Sequence, residues 1–390
     1  MIDYGKYWIR TAAIIERILA NPKIKFKGNH YLNTGEILEY PLIGKWNVWE
    51  FEIKSRTWLE MRGSLHKFWN NGTNENDFFF TNLFSAIVDL CSFLQVSPYD
   101  LTVHNLEFGV NIKPQINASE ILREIICYKN VTPIKPMDNE KGFFIEFALG
   151  EYYFKVYDKG KQYKTVNTLR IEVKAMNSGF LKFANIVTMA DLLNPGNLRL
   201  LGRKTDNFFN EIVFDDDSID TDQLSLPDRK VYQELSNARN WTNNKNKKDS
   251  TIRARENRFR TVVGKYGTKK LHSVLSVIIN EKWNELLNHN SETLENINTY
   301  LKNNESGFCC FSYLNYTKKT DKTLIQRLCL SCGRDISDQD PKSKFCSAKF
   351  VGEERAHKCR NDNSNPRNQH NRKLVKIYCN GQTLFPLFPT

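Results

Sequence analysis

Several segments within residues 1–175 alternate polar and apolar side chains, and their charged members fall on one row of each segment. Residues 102–113, 142–148 and 167–174 show this pattern most clearly. Alternation with a period of two is typical of a β-strand that buries a single face. We therefore predict one sheet with an apolar face and a polar face. A carboxylate stands at mid-strand on each of the three polar rows, namely Glu107, Glu146 and Glu172.

Two further segments add basic and aromatic groups to the predicted polar face. Residues 151–159 contribute tyrosines and lysines, and residues 58–68 contribute a polar row that ends in His66. His104 falls on the apolar row of its segment, so we expect a core histidine there. Carboxylates, basic groups, tyrosines and a histidine are the components of a metal-dependent phosphodiester-cleaving site. A half-solvated antiparallel sheet produces the same alternation, so both interpretations stay open.

The composition indicates a globular protein with a basic bias. With 390 residues, of which 40% are hydrophobic, the chain is long enough for two or three domains with a substantial core. Without an apolar run of roughly 20 residues or a signal peptide, we expect a cytoplasmic protein with no membrane partner. The formal net charge is +12, and residues 201–390 carry most of it. This bias favours polyanion binding, although an anionic membrane surface or plain solubility would also fit the charge.

Local patterns predict an α+β fold, in which a mostly antiparallel sheet with helices on one face precedes a helical region and a small zinc ribbon. Helices are predicted at residues 7–20, 77–94, 119–128 and about 187–210, and strands at 46–54, 57–69, 102–113 and 167–174, with a hairpin at 142–158. The acidic residues 215–217 are expected to form a solvated linker. The predicted domains are an N-terminal segment (1–40), an α+β catalytic domain (41–213), a basic helical DNA-binding region (214–305) and a zinc-ribbon-like domain with a basic tail (306–390).

The basic helical region is densest in residues 239–270, which hold eleven basic side chains against two acidic ones. We predict a helix that ends near Gly264 and a second helix that Thr268 caps and that runs to about Leu287. Arginines at this density suit contacts with DNA phosphates, although a merely solvated face is the alternative. The candidate phosphate-binding residues are Arg253, Arg255, Arg258 and Arg260.

Four cysteines near the C-terminus have the spacing of a structural zinc site. Two residues separate Cys329 from Cys332, and Gly333 follows directly. This spacing lets both sulfurs face one ion. The spacing predicts tetrahedral Zn²⁺ bound by Cys329, Cys332, Cys346 and Cys359, with His357 as the alternative to Cys359. Four protein ligands leave no open coordination position, so such a site serves stability or DNA contact rather than catalysis.

Four short motifs, in order, give the chain a resemblance to the gene II proteins, the replication initiators of filamentous phages. The sequence Arg-Gly-Ser-Leu-His-Lys-Phe at 62–68, followed by Asn-Asn-Gly, is similar to their Gly-Asn-Pro-x-Lys-Phe segment. Residues 105–109 occupy the place of their acidic strand, 157–160 resemble their Tyr-Asn/Asp-Lys motif, and 169–172 resemble their Leu-Arg-x-Glu strand. The last two motifs are also similar to those of plasmid rolling-circle initiators. The cysteine segment separately resembles a zinc ribbon of mobile-element proteins.

The resemblance covers about residues 40–195 and implies an enzyme that nicks one DNA strand and joins a tyrosine to the 5′ phosphate. Such a protein starts rolling-circle replication of a phage, plasmid or mobile element. A divalent ion, Mg²⁺ or Mn²⁺, held by Glu107, Glu172 and Glu146 would polarise the phosphate, and a basic group would offset charge in the transition state. The further candidate residues are Tyr163, Tyr157, Lys159, Arg170 and His66 for catalysis, and Lys67 for DNA binding.

The nucleophile stays open at this point. The chain lacks the His-hydrophobic-His motif of the better-known nickases, and Tyr163 is favoured over Tyr157 because we expect it to be more exposed. Tyr153 and Tyr232 are further alternatives. The expected partners are DNA, single-stranded or as an origin hairpin, and host replication proteins. The alternative functions are a non-catalytic DNA-binding protein of the same architecture and, more remotely, an RNA-binding module.

Overall fold

Nine of the described strands form a single antiparallel sheet. The structure is a computed structural model that describes residues 1–28, 38–129, 131–133, 144–242 and 249–305, with shorter stretches at 329, 345–348, 353–354, 356–358, 378–379 and 382–383. The strands up to residue 305 are β1 (Ile2–Ile9), β2 (Lys25–Lys27), β3 (Leu42–Trp46), β4 (Trp49–Ser55), β5 (Trp58–Ser64), β6 (Thr102–Ile112), β7 (Ile125–Tyr128), β8 (Phe144–Ala148), β9 (Tyr152–Asp158), β10 (Leu169–Ala175) and β11 (Ile212–Phe214). The large sheet has the order β2-β3-β4-β5-β1-β6-β10-β9-β8, and β7 pairs separately with β11.

The described residues contain twelve α-helices, some of which cover the apolar face of the large sheet. They are α1 (Ala12–Leu19), α2 (Leu65–Trp69), α3 (Phe80–Leu94), α4 (Ala118–Arg123), α5 (Lys159–Tyr163), α6 (Ser178–Leu181), α7 (Pro195–Asn210), α8 (Leu226–Leu235), α9 (Arg239–Thr242), α10 (Asp249–Tyr266), α11 (Leu271–Leu286) and α12 (Ser291–Asn304). Both α7 and α11 pack against β6, and their buried side chains join those of the sheet in one hydrophobic core. The predicted α+β class, with a mostly antiparallel sheet and helices on one face, is confirmed.

The chain divides into two compact units, Met1–Phe311 and Ser312–Thr390. The first unit contains the large sheet and all twelve of the labelled helices. In the second unit, the described residues include a short strand pair, β12 (Tyr378–Cys379) and β13 (Gln382–Thr383). None of the helices in the described part of the chain is both long enough and apolar enough to cross a membrane.

The N-terminal residues form a central strand, so the prediction of a helix over 7–20 is wrong at its start. Strand β1 lies between β5 and β6, and the helix begins only at Ala12. Aromatic and β-branched residues such as Tyr7, Trp8 and Ile9 favour a pleated, half-buried strand. This strand brings Asp3, Tyr4 and Lys6 to the middle of the sheet. No strand and no site residue was predicted in this segment.

Two other predicted elements end earlier than expected. Strand β5 stops at Ser64, whose side chain accepts a hydrogen bond from the Lys67 backbone N–H and thereby caps α2. His66 therefore lies in a helix rather than on a strand row. The helix predicted at 119–128 ends at Arg123, because the following residues pair with β11 as strand β7. The helix at 77–94 and the hairpin at 142–158 are confirmed as α3 and as β8–β9.

A bulge in β6 moves His104 to the polar face. Lys6 pairs with Asn105, but the next residue, Tyr7, pairs with Val103, so the alternation shifts by one residue between them. The imidazole of His104 stacks on the indole of Trp8, with ring centroids 3.9 Å apart. The prediction of a core histidine at this position is therefore wrong.

Helices α8 and α10 form a second hydrophobic cluster with β7 and β11, centred on Trp241 and Phe259. The acidic residues 215–217 were predicted to form a solvated linker, but only Asp217 is exposed, and it forms an ion pair with Lys269. Asp216 is buried and accepts hydrogen bonds from Ser218 and from the Lys269 backbone N–H. These bonds tie the segment to the start of α11, which begins after Lys270 instead of being capped by Thr268.

Candidate active site on the polar face of the sheet

The strand register places the three predicted polar rows on one face. In an antiparallel pair, directly opposite residues share a face. Arg170 of β10 lies opposite Asn111 and Tyr157, and Glu172 lies opposite Gly109 and Lys155. One step further along, Lys174 lies between Glu107 and Tyr153, and Glu146 lies opposite Lys155. The sequence prediction of a shared polar face is confirmed.

Arg170 is the centre of a buried polar cluster at one end of this face. Its side chain is 2% exposed, and its Nε donates to Glu172 Oε2 at 3.3 Å. Its Nη1 donates to Asn111 Oδ1 at 3.2 Å, and its Nη2 lies 4.0 Å from Asp3 Oδ2 without a hydrogen bond. A buried guanidinium with two flanking carboxylates keeps its charge and holds both carboxylates in place.

Asp3 connects β1 to the loop that follows α2. Its carboxylate accepts short hydrogen bonds from Ser64 Oγ and Asn74 Nδ2. Burial would raise the pKa of this carboxyl, but Arg170 and Ser64 outweigh that effect and hold the pKa below its ordinary value. Sequence reasoning missed Asp3 because no strand was predicted for residues 1–6 and a helix was predicted for residues 7–20. The signal that could have found it is the alternation of Lys6 and Trp8 with apolar neighbours.

Tyr163 reaches the same cluster from α5, a short helix that begins after β9. Its hydroxyl donates to Asn74 Oδ1 at 2.5 Å, so Asn74 bridges the phenol and the carboxylate of Asp3. The ring is half-buried. Burial and the nearby negative charge of Asp3 raise the pKa of the tyrosine. An amide rather than a carboxylate thus holds the hydroxyl of Tyr163 in place.

Lys159 lies beneath Tyr163 at the first position of α5. The side chain is 1% exposed, and its Nζ has no hydrogen-bond partner among the described residues. The Nζ atom is 5.8 Å from the centroid of the Tyr163 ring. Burial and the positive charge of Arg170 lower the pKa of Lys159 to about 7. A substantial fraction of this lysine is therefore an uncharged amine at neutral pH, which can accept a proton.

The three other candidate tyrosines have different environments. Tyr157 donates to Glu172 Oε2 at 3.4 Å, and burial followed by the charge of Glu172 raises its pKa far above the ordinary value. Tyr153 is half-buried on the polar face and lies four residues before Tyr157 on β9. Tyr232 belongs to the second hydrophobic cluster, where its hydroxyl donates to Asp215 Oδ1 at 2.8 Å. Of these three, Tyr232 lies outside the polar face.

His66 lies beside the buried cluster. Its ring stacks on Phe78 with centroids 4.7 Å apart, and its Nε2 is 2.6 Å from Asn76 Oδ1. Burial lowers its pKa to about 3, so the imidazole is neutral near pH 7. This environment suits a positioning role for the loop that carries Asn74 and Asn76. Lys67, the adjacent candidate DNA contact, is half-buried.

The predicted metal ligands do not form a three-carboxylate group. Glu146 pairs with Lys155 at 3.4 Å, and β9 separates it from Glu172. Glu107 pairs with Lys174 at 2.8 Å, and burial together with the charge of Glu172 raises the pKa of Glu107. Within the described residues, no group of three or more His, Cys, Asp or Glu side chains could hold a metal ion. Glu107 and Glu172 are the pair whose charges repel each other.

The four candidate arginines on α10 divide into two pairs. Arg255 donates to Glu234 Oε1 at 3.0 Å and lies over the Trp241 ring, and Arg260 donates to the Ile212 carbonyl at 2.9 Å. Arg253 and Arg258 are exposed and make no ion pair with a described residue. Only the second pair can therefore reach a phosphate without breaking an intrachain contact.

The candidate zinc ligands fall partly outside the described residues. Cys329 and Cys346 are both buried, and they pack together with Phe345 in one small cluster. His357 is exposed. Cys332 and Cys359 lie outside the described residues.

Comparison with known proteins gives a distant structural similarity. No protein-family model and no curated protein sequence matches the chain. Among solved structures, the chain is similar to a rolling circle replication initiator protein from Geobacillus stearothermophilus, with a TM-score of 0.32 and 11% sequence identity. The similarity covers 54% of this chain and 84% of that one.

Proposed function

We propose that this protein nicks one strand of DNA by joining Tyr163 to a 5′ phosphate and thereby starts rolling-circle replication of a phage, plasmid or mobile element. The observation that carries the proposal is that the Nζ of Lys159, a buried amine without a hydrogen-bond partner among the described residues, lies 5.8 Å from the centroid of the Tyr163 ring. These two residues meet Arg170 and Glu172 in one cluster. Lys159, Arg170 and Glu172 belong to motifs that resemble those of replication initiators, and Tyr163 follows the first of these motifs directly.

The residues present can perform the transfer in one displacement. Asn74 orients the Tyr163 hydroxyl, and Lys159 Nζ takes its proton through one intervening water molecule as the Oη–P bond forms. The bond between phosphorus and the 3′ oxygen of the preceding nucleotide breaks, and that oxygen leaves as a hydroxyl after it takes a proton from water. Arg170 Nη2, a second buried donor without a hydrogen bond to a described residue, offsets the charge that develops on the phosphate oxygens.

Glu107 and Glu172 fit a divalent ion of the Mg²⁺ or Mn²⁺ type. Burial and then the charge of Glu172 raise the pKa of Glu107, and a cation between the two carboxylates would relieve their mutual repulsion. Magnesium is commonly held by one or two carboxylates, with water and substrate phosphates completing its shell. Such an ion would polarise the scissile phosphate. Glu146 is too far along the sheet to share it, since two strand spacings amount to about 10 Å.

The test is the formation of a covalent protein–DNA adduct. The full chain is incubated with randomised single-stranded DNA and Mg²⁺ or Mn²⁺, and the products are separated under denaturing conditions. We expect an adduct that Tyr163→Phe abolishes and that the matched variants Tyr157→Phe and Tyr153→Phe retain. Loss of the adduct in one of the matched variants, with retention in Tyr163→Phe, would move the nucleophile.

The second candidate function is origin binding without catalysis. It is favoured by the intrachain ion pairs that Glu172 and Glu107 make with Arg170 and Lys174. If DNA binds but neither a nick nor an adduct forms with any substrate or ion, this second function is the correct one.

We also propose that the second unit binds a structural Zn²⁺. The burial of Cys329 and Cys346 in one small cluster supports this site, and Cys332 and Cys359 would supply the remaining sulfurs. Metal analysis of the purified protein should return about one zinc ion per chain. Cys332→Ser should lower this value while the thermal transition of the first unit persists, because ligand binding and folding are coupled in such small sites.

A further inference from the structure

We propose that Trp8, Trp58 and His104 form an aromatic platform on which unpaired bases of single-stranded DNA stack. The platform lies on the polar face of the sheet, at the end opposite the buried cluster. The inference rests on the proposed function for the identity of the polymer and extends it by naming where the bases of the substrate bind.

The rings of the platform are arranged as a continuous aromatic surface. Trp8 and His104 stack with their planes 17° apart, and Trp58 meets Trp8 edge to face at a centroid distance of 5.8 Å. All three rings are half-buried, so part of each reaches solvent. Nucleobases offer a flat π-face that can stack on such a surface.

The charge around the platform complements a nucleic-acid backbone. The Arg10 guanidinium lies 4.2 Å from the Trp58 ring centroid and 5.0 Å from that of Trp8, and Lys54 Nζ lies 4.7 Å from Trp58. Arg10 is exposed and makes no ion pair with a described residue. Lys6 and Lys54 share Glu60, and Lys54 also lies 3.9 Å from Glu52, so the two lysines are balanced and Arg10 supplies the positive excess of the platform. An incoming base can take the place of Arg10 on the rings while that arginine turns to the neighbouring phosphate.

The position of the platform suits a strand that also reaches the buried cluster. Strand β1 carries Asp3 of the cluster and Trp8 of the platform, and the five intervening steps amount to about 17 Å. Tyr4 and Lys6 point to the same polar face between them. A single strand laid along β1 can therefore present a phosphate to Tyr163 while bases beyond it stack on Trp8 and Trp58. Duplex DNA cannot, because its bases are already stacked and paired.

The platform is tested by binding, separately from cleavage. The full chain carrying Tyr163→Phe is titrated into dye-labelled oligothymidine, and binding is followed by anisotropy and by tryptophan quenching. Trp8→Ala should weaken binding by about 5- to 150-fold, which corresponds to the removal of one stacking interaction. Trp8→Phe should retain most of the affinity, because it keeps an aromatic face. Arg10→Gln should weaken binding and reduce its salt dependence.

Arg56→Gln is the matched control, since Arg56 is an exposed arginine near the same strands that pairs with Glu16 at 3.0 Å. Its affinity should equal that of the parent. If the Trp8 and Arg10 variants bind oligothymidine as tightly as the parent does, the platform is overturned. Binding of duplex DNA as tight as that of single-stranded DNA, or tighter binding of RNA, would also overturn it. If the platform variants lose binding but the wild-type chain forms no adduct, the platform stands and the nicking function fails.

Discussion

The buried cluster around Arg170 and the basic helix α10 use similar residues for different physical ends. In the cluster, a guanidinium and two carboxylates are held away from water, and burial together with the charge of Arg170 lowers the pKa of Lys159. On α10, exposed Arg253 and Arg258 keep their ordinary hydration. Buried charges therefore tune chemistry and are costly to disturb, whereas exposed charges supply screened, additive attraction to a polyanion. Charge density in the sequence does not distinguish the two.

The sharpest test of this contrast is Lys159→Arg. The wild-type rate of adduct formation should rise with pH and level off above about 7, because only the deprotonated amine can accept the Tyr163 proton. An arginine cannot lose its proton in this range, so adduct formation in the variant should be slower by about 10²- to 10⁴-fold. Its rate should also no longer level off near pH 7. The control is Lys161→Arg, two residues along the same helix and exposed. If the rate of Lys159→Arg still levels off near pH 7, Lys159 is not the general base.

The next largest effect is expected on stability. Arg170→Gln leaves Glu172 and Asp3 buried without their cation, so the free energy of unfolding should fall by about 3–5 kcal/mol. Arg253→Gln on α10 should change it by less than about 0.5 kcal/mol, because that side chain is exposed. Urea denaturation of the two variants measures both values. Equal stabilities would mean that the cluster does not depend on its central charge.

Replacing the two carboxylates proposed to hold the divalent ion should destabilise the fold to different extents. Glu172→Gln should lower the free energy of unfolding by about 1.5–3 kcal/mol, because its carboxylate bonds to buried Arg170. Glu107→Gln should cost less than about 1 kcal/mol, since its ion pair with Lys174 is partly exposed. Both variants should lose nicking in Mg²⁺. Full activity in Glu107→Gln would exclude this residue from ion binding.

The smallest expected effect lies on α10 and concerns the salt dependence of DNA binding. Replacing Arg253 or Arg258 with Gln should flatten the log–log slope of affinity against salt by about 0.7–0.9 for each phosphate that is no longer neutralised. Arg255→Gln is the matched variant, and its slope should stay unchanged because Glu234 already neutralises Arg255. Identical slopes in all three variants would mean that α10 is a solvated surface.

Much of the sheet and part of the site follow from local patterns. The rows of β6, β8 and β10 predict their shared face because a pleated strand must alternate, and the motif around Tyr157 and Lys159 is contiguous in sequence. Other features depend on long-range pairing. A one-residue bulge, set by how β1 meets β6, places His104 on the polar face. Asp3 enters the site because β1 inserts at the centre of the sheet.

The sequence by itself determined the alternating faces, the reactive residue types and the excess of basic charge, since these depend on neighbours along the chain. The tertiary structure decided which of those groups interact. Lys159 is unusual because β9, β10 and α5 bury it beside Arg170, and Arg255 is neutralised because α8 brings Glu234 to it. Proton affinity and charge pairing depend on burial and on distance in space, which no linear spacing encodes.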